Sequence, residues 1–162
     1  MEPLYRSCRN QLFFPVDKKF QVHISQLFGK GINEIKYFKK GTEIIKEGTL
    51  SDCAYIIESG RVQVSKTLSN GEEQVIGILE ENDIFGEMSL IDSLPRSATV
   101  LALEDCTISV MTQEIFNSLS KHNPKALMPI LKVLVSRLRK VLNILERVEG
   151  QETLIESIPA EG

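Results

Sequence analysis

The chain has 162 residues, of which 42% are hydrophobic and 25% charged, with a formal net charge of -3. Those values describe an ordinary globular domain, long enough to bury about two-thirds of its unfolded surface, and they exclude the basic excess of a nucleic-acid-binding face. No apolar run approaches bilayer-spanning length, and the start MEPLYRSCRN lacks the apolar core of a signal peptide.

Cys8, Cys53 and Cys106 form no metal or redox spacing, so reduced thiols and a cytoplasmic location are expected. In residues 1–33, Phe20, Ile24, Leu27 and Phe28 fit a helical face, while Phe20, Val22 and Ile24 also fit a strand. This N-terminal segment is read as partly helical. Its Phe13-Phe14 pair packs on the domain's own helices or forms a partner patch.

From Glu34 onward short strands dominate. Val62, Val64 and Leu68 alternate with Gln63, Ser65 and Thr67, and Ile108 and Val110 alternate with Thr107 and Ser109. That period of two predicts half-buried strands. Gly41, Gly48 and Gly60 mark turns, and Asn70-Gly71 reads as a two-residue hairpin. Close-spaced short strands predict a sandwich or barrel over residues 34–123, with a short helix at its end. Thr112 is the expected N-cap of that helix, which carries Ile115, Phe116 and Leu119.

A long helix is predicted over 124–149, opening at Asn123-Pro124 and kinking or restarting at Pro129. Leu131, Leu134, Leu138, Val141, Leu145 and Val148 follow a three-four spacing, the seam of a coiled coil. Ile130, Val133, Leu142 and Ile144 widen that apolar face beyond one surface contact, so a homodimer is expected through this helix. Residues 150–162 read as an acidic, mobile tail.

The segment Phe85–Val100, FGEMSLIDSLPRSATV, carries the chemistry. Arg96 offers a planar fork of donors matched to two oxygens of an anion such as a phosphate. Gly86 permits close backbone approach, and amides at Glu87, Met88 and Ser89 would open a helical turn onto the anion. Glu87 accepts only, so beside an anion it makes sense as the partner of a ligand hydroxyl. Ser89 and Ser97 add hydroxyls, although either also suits a turn cap, and Ala98 offers an amide without bulk.

This segment resembles the phosphate-binding cassette of the cyclic nucleotide-binding domain family. KKGTEIIKEG (Lys39–Gly48), AYIIESGRVQV (Ala54–Val64) and SRLR (Ser136–Arg139) lie in the family's order and spacing, extending the likeness over roughly residues 34–148. The resemblance implies a mainly β fold with flanking α, a jelly-roll β-barrel with the cassette between strands and C-terminal helices. It implies cyclic AMP or cyclic GMP as ligand rather than a cofactor, Arg96 on the phosphate and Glu87 on the ribose 2′-OH.

Val75, Ile78 and Leu79, on the strand before the cassette, are candidates for the apolar wall, or equally for plain barrel core. Where family members place hydroxyl residues of the long helix against the base, this chain has Ile144 and Leu145 beside Asn143, the polar candidate; Arg139 suits the solvated face. Ser97 offers a hydroxyl to a guanine amino group, while the apolar cover favours adenine.

An enzyme is not expected. His23 and His122, the two histidines, fall in no metal spacing, and no Gly-Lys-Ser/Thr phosphate loop or nucleophile elbow is present. Bacterial regulators of the family continue into a helix-turn-helix, whereas the fourteen residues after Val148 are too few for one. The expected partners are therefore a cyclic nucleotide, a second copy and an unidentified effector protein, without direct nucleic-acid or membrane contact. The rival reading is a scaffold that keeps the fold and has lost the nucleotide.

Overall fold

The computed structural model describes residues 34–156, with side chains through Glu146. The readings on Phe13, Phe14, Phe20 and the rest of residues 1–33 lie outside the described residues.

Eight strands form two antiparallel four-stranded sheets: β1 (Glu34–Phe38), β2 (Glu43–Ile45), β3 (Cys53–Ser59), β4 (Val62–Thr67), β5 (Glu73–Leu79), β6 (Ile84–Phe85), β7 (Thr99–Ala102) and β8 (Cys106–Thr112). One sheet runs β1-β8-β3-β6 and the other β2-β7-β4-β5, the two layers of a jelly roll. Their facing sides bury Ile57, Val62, Val64, Leu79, Phe85, Val100, Ile108 and Val110. The alternation at Val62–Val64 and Ile108–Val110 is the sequence trace of that layer.

The β4–β5 connection differs from the expected two-residue hairpin. The Gly71 amide donates to the Leu68 carbonyl at 2.9 Å and the Leu68 amide to the Glu72 carbonyl at 2.8 Å. Ser69 and Asn70 are thus the turn's central pair, and Gly71, at φ 84°, takes the left-handed position after it. A type I turn followed by a glycine bulge uses the same Asn-Gly dipeptide one residue later than a type I′ turn would.

Farther along this hairpin Val64 pairs with Gly77 and Ser65 with Val75, leaving Ile76 as an extra residue in β5. The bulge turns Ile76 into the core beside Leu79 and leaves Val75 and Ile78 half-buried on the other side.

Between β6 and β7 runs the cassette helix α1 (Glu87–Asp92); after β8 come α2 (Gln113–His122), a 3₁₀ turn (Pro124–Leu127) and α3 (Met128–Glu156). Thr112 caps α2, its hydroxyl accepting from the Ile115 amide. The chain breaks to 3₁₀ geometry ahead of Pro129, and α3 restarts at Met128, so the proline falls in a first turn whose amides have no helical acceptor.

α3 runs on to Glu156, over the first residues of the segment 150–162 read as a tail, whose remaining residues lie outside the described ones. One glycine costs a helix only about 1 kcal/mol, and the Gln, Glu and Leu that follow are good helix formers.

Ala126, Ile130 and Val133 pack α3 and its approach against Ala54, Ile56, Ile84, Leu90 and Met111 on the outer side of the first sheet. This second cluster lashes the long helix to the strand that leads into the cassette.

Candidate functional site

The cassette begins where β6 pairs with β3, Phe85 opposite Tyr55 and Ile84 opposite Ile56. Gly86 then turns the chain into α1 at φ 74°. A Cβ there would stand 2.5 Å from Arg96 Nη1 and 3.1 Å from Ile45 Cδ1, so the glycine is what lets the arginine lie against the backbone.

Arg96 is buried, 4% exposed, at the floor of a pocket. Nη1 donates to the Gly86 carbonyl at 2.7 Å, and Nη2 to the Ser51 hydroxyl at 2.8 Å and the Cys53 carbonyl at 2.7 Å. The guanidinium lies 5.8 Å from the centroid of the Tyr55 ring, which itself stacks on Phe85 at 5.2 Å. Burial pushes the Tyr55 phenol above its ordinary pKa, so it stays neutral beneath the cation.

These oxygen acceptors are neutral, the Cys53 sulfur lies at 3.5 Å from Nη2, and none of the ion pairs among the described residues includes Arg96. A buried cation with no carboxylate partner is a site that gains from an anion.

The backbone of the arginine is clamped from the loop after β2. Gly48 donates to the Arg96 carbonyl and Arg96 donates to the Thr49 carbonyl, both at 2.8 Å. Gly86, Glu87, Met88, Ser89, Arg96, Ser97 and Ala98 all line the pocket. Ser89 and Ala98 are buried and Ser97 is exposed, its hydroxyl 3.8 Å from the Met88 sulfur.

Of the two readings open for Val75, Ile78 and Leu79, wall or barrel core, the pocket lining does not bear out the first. Ile45, Val64, Phe85 and Val100 line the pocket, and Val75, Ile78 and Leu79 do not. Leu79 lies in the inter-sheet core, Ile78 faces the other way by simple alternation beside it, and the bulge at Ile76 turns Val75 to the same outer side. Asn143 and Leu145 are exposed on α3, Ile144 is half-buried, and none of the three reaches the pocket.

The polar residue of α3 that meets the site is Arg137. Its Nη1 donates to Glu87 Oε1 and its Nη2 to the Ile84 carbonyl, the latter at 2.6 Å. Glu87 is 1% exposed, so this is a buried ion pair joining the long helix to the cassette. The signal for Arg137 was present in the sequence: it stands four residues after Val133 and seven after Ile130, on the stripe that packs against the barrel.

A pocket with a buried, carboxylate-free arginine, an acidic hydroxyl acceptor and an apolar wall between two jelly-roll sheets suits a small anionic ligand that also carries a sugar hydroxyl. The family model for the cyclic nucleotide-binding domain matches residues 35–123, and the chain belongs to that family. It is similar to the cyclic AMP receptor protein of Thermus thermophilus, 30% identical over 105 residues that make up 65% of this chain and 49% of that one. It is also similar to a cAMP-dependent protein kinase regulatory subunit of Mucor circinelloides, 45% identical over 69 residues, 43% of this chain and 16% of the subunit.

Among solved structures, the Thermus thermophilus catabolite activator protein superposes with a TM-score of 0.71 at 25% identity, covering 86% of this chain and 63% of that one. The chain thus spans about half or less of the length of these curated relatives. No described helix is long and apolar enough to cross a membrane.

Proposed function

We propose that this chain is a cyclic nucleotide sensor, a non-catalytic regulatory module that binds cyclic AMP in preference to cyclic GMP. The observation that carries the reading is Arg96, buried, outside every ion pair among the described residues, and lining the same pocket as Glu87. Arg96 takes the ring phosphate. Glu87 takes the ribose 2′-OH while keeping Arg137, since a carboxylate accepts at about four lone-pair positions. Ile45, Val64, Phe85 and Val100 supply the wall for ribose and base. The printed names of the relatives, a cyclic AMP receptor and a cAMP-dependent kinase regulatory subunit, support the same ligand class.

The test is calorimetric titration with both nucleotides in parallel. Glu87 is the one carboxylate among the described lining residues, and it is already shared between Arg137 and the ribose hydroxyl, so the guanine N1 and N2 donors meet a desolvation cost that adenine avoids. Ser97 offsets part of that cost. Cyclic AMP is expected to bind more tightly by a factor of about 3–30. Equal or tighter cyclic GMP binding removes the preference; no binding of either leaves the scaffold reading in its place.

The signal leaves through α3. Because Glu87 holds both the ligand hydroxyl and Arg137, ligand contacts differ between positions of the helix, which is what a two-state switch requires. Leu131, Val135, Leu138, Leu142 and Leu145 are each about half exposed along α3, at four-three spacing.

This outward stripe differs from the seam read in the sequence. Leu134 is drawn against the barrel cluster, and Val135 and Leu142 stand in the outward row with Leu131, Leu138 and Leu145. The stripe fits a second copy of the same helix. Leu138→Asp would place an unpaired charge in that seam, so sedimentation is expected to shift from dimer to monomer with the barrel still folded. A wild-type chain that is monomeric at micromolar concentration overturns the dimer.

A further inference from the structure

Outside the pocket a second set of contacts converges on the phosphate arginine's neighbour in sequence. Lys66, at the end of β4, donates from Nζ to the Ser97 carbonyl at 2.9 Å and to Glu47 Oε1 at 3.0 Å. Glu47 Oε2 accepts from the Thr67 amide at 2.8 Å, and the Glu47 amide donates to the Thr99 hydroxyl at 3.1 Å. The next two residues, Gly48 and Thr49, are the ones that clamp the Arg96 backbone.

Three segments distant in sequence therefore meet at one ion pair: the loop after β2, the end of β4 and the exit of the cassette. The Thr67 amide, with Lys66 behind it, holds the Glu47 carboxyl below its ordinary pKa, so the pair stays charged through neutral pH.

We propose that Glu47 and Lys66 are a positioning pair for the phosphate anchor, fixing the Ser97 carbonyl and the Gly48–Thr49 clamp so that the Arg96 guanidinium is aimed before ligand arrives. The role rests on the cyclic nucleotide reading above. Neither side chain lines the pocket, so neither acts by touching ligand. Their effect is preorganisation: an anchor already held in its binding geometry loses less freedom on binding. Lys66 is half exposed, so as a plain surface ion pair the two would matter little to overall stability. The expected effect falls on affinity.

The experiment titrates cyclic AMP into the full chain, wild type and variants, with thermal unfolding recorded for each. Lys66→Met is expected to weaken binding by roughly 3–10-fold while the melting temperature stays within a few degrees, and Lys66→Arg to restore most of the loss. In an Arg96→Ala background, Lys66→Met should add less than about twofold, because the anchor it aims is gone.

Glu47→Gln separates positioning from simple charge. Removing a negative charge near an anion site strengthens binding if the pair acts only through the field, and weakens it if the pair holds geometry. A stronger Glu47→Gln, a Lys66→Met equal to wild type, or the same Lys66→Met factor in both backgrounds overturns the role while the nucleotide reading stands. A wild type that binds no cyclic nucleotide overturns both.

Discussion

Arg96→Ala is expected to weaken cyclic nucleotide binding by tens to thousands of fold while leaving the barrel folded. The guanidinium is 4% exposed and its partners are the Gly86 and Cys53 carbonyls and the Ser51 hydroxyl. Replacing it strips the ligand phosphate of its buried counter-charge, which costs about 2–5 kcal/mol of binding. The folded chain loses charge-assisted hydrogen bonds, each a net contribution of about 1.5–3 kcal/mol, and at the same time sheds the cost of burying a cation. Titration beside circular dichroism reads both effects. A folded Arg96→Ala chain with wild-type affinity would remove the anchor and, with it, the observation on which the functional reading stands.

The second large effect is expected at Arg137. Its ion pair with Glu87 has side chains 12% and 2% exposed. Removing one partner of so buried a pair leaves the other uncompensated, at about 3–5 kcal/mol. Arg137→Ala should therefore lower the urea midpoint sharply, and against a typical total stability of about 5–15 kcal/mol that loss is large. Arg137→Met together with Glu87→Gln should recover much of it, since the charge left behind is then gone. If the single and double variants unfold at the same urea concentration, the pair is not what fastens α3 to the cassette.

The double variant also separates the two tasks proposed for Glu87. Stability returns with the charge removed, while the ribose hydroxyl keeps an amide oxygen to donate to, so affinity should fall less than in Arg96→Ala. The coupling between ligand and helix should disappear, because no group on α3 then shares the acceptor that the ligand uses.

Much of the site was readable because its chemistry is contiguous. Gly86, Glu87, Met88, Ser89, Arg96, Ser97 and Ala98 fall within one loop, and all seven line the pocket. A positive-φ glycine, an acid and an arginine set close together constrain one another through local backbone geometry, which sequence spacing reports directly. The strands were readable for a similar reason, since period-two alternation is a local consequence of one buried face.

The apolar lining was not legible because it is assembled from four strands. Ile45, Val64, Phe85 and Val100 come together through pairing across the second sheet and packing between sheets, while an extra residue at Ile76 turned Val75 to the outer side with Ile78.

By itself, then, the sequence determined the family, the class of fold, the cassette and the arginine that lies buried in the pocket, all of them consequences of local spacing and residue chemistry. Tertiary structure decided which apolar residues line the pocket, that Leu134 turns inward while Val135 faces out, and that Arg137 rather than Arg139 or Asn143 reaches the cassette. Those outcomes depend on helix rotation and strand register. Both are set by long-range packing, here of Ile130 and Val133 against Ile56, Ile84 and Met111, whose energy no local pattern contains.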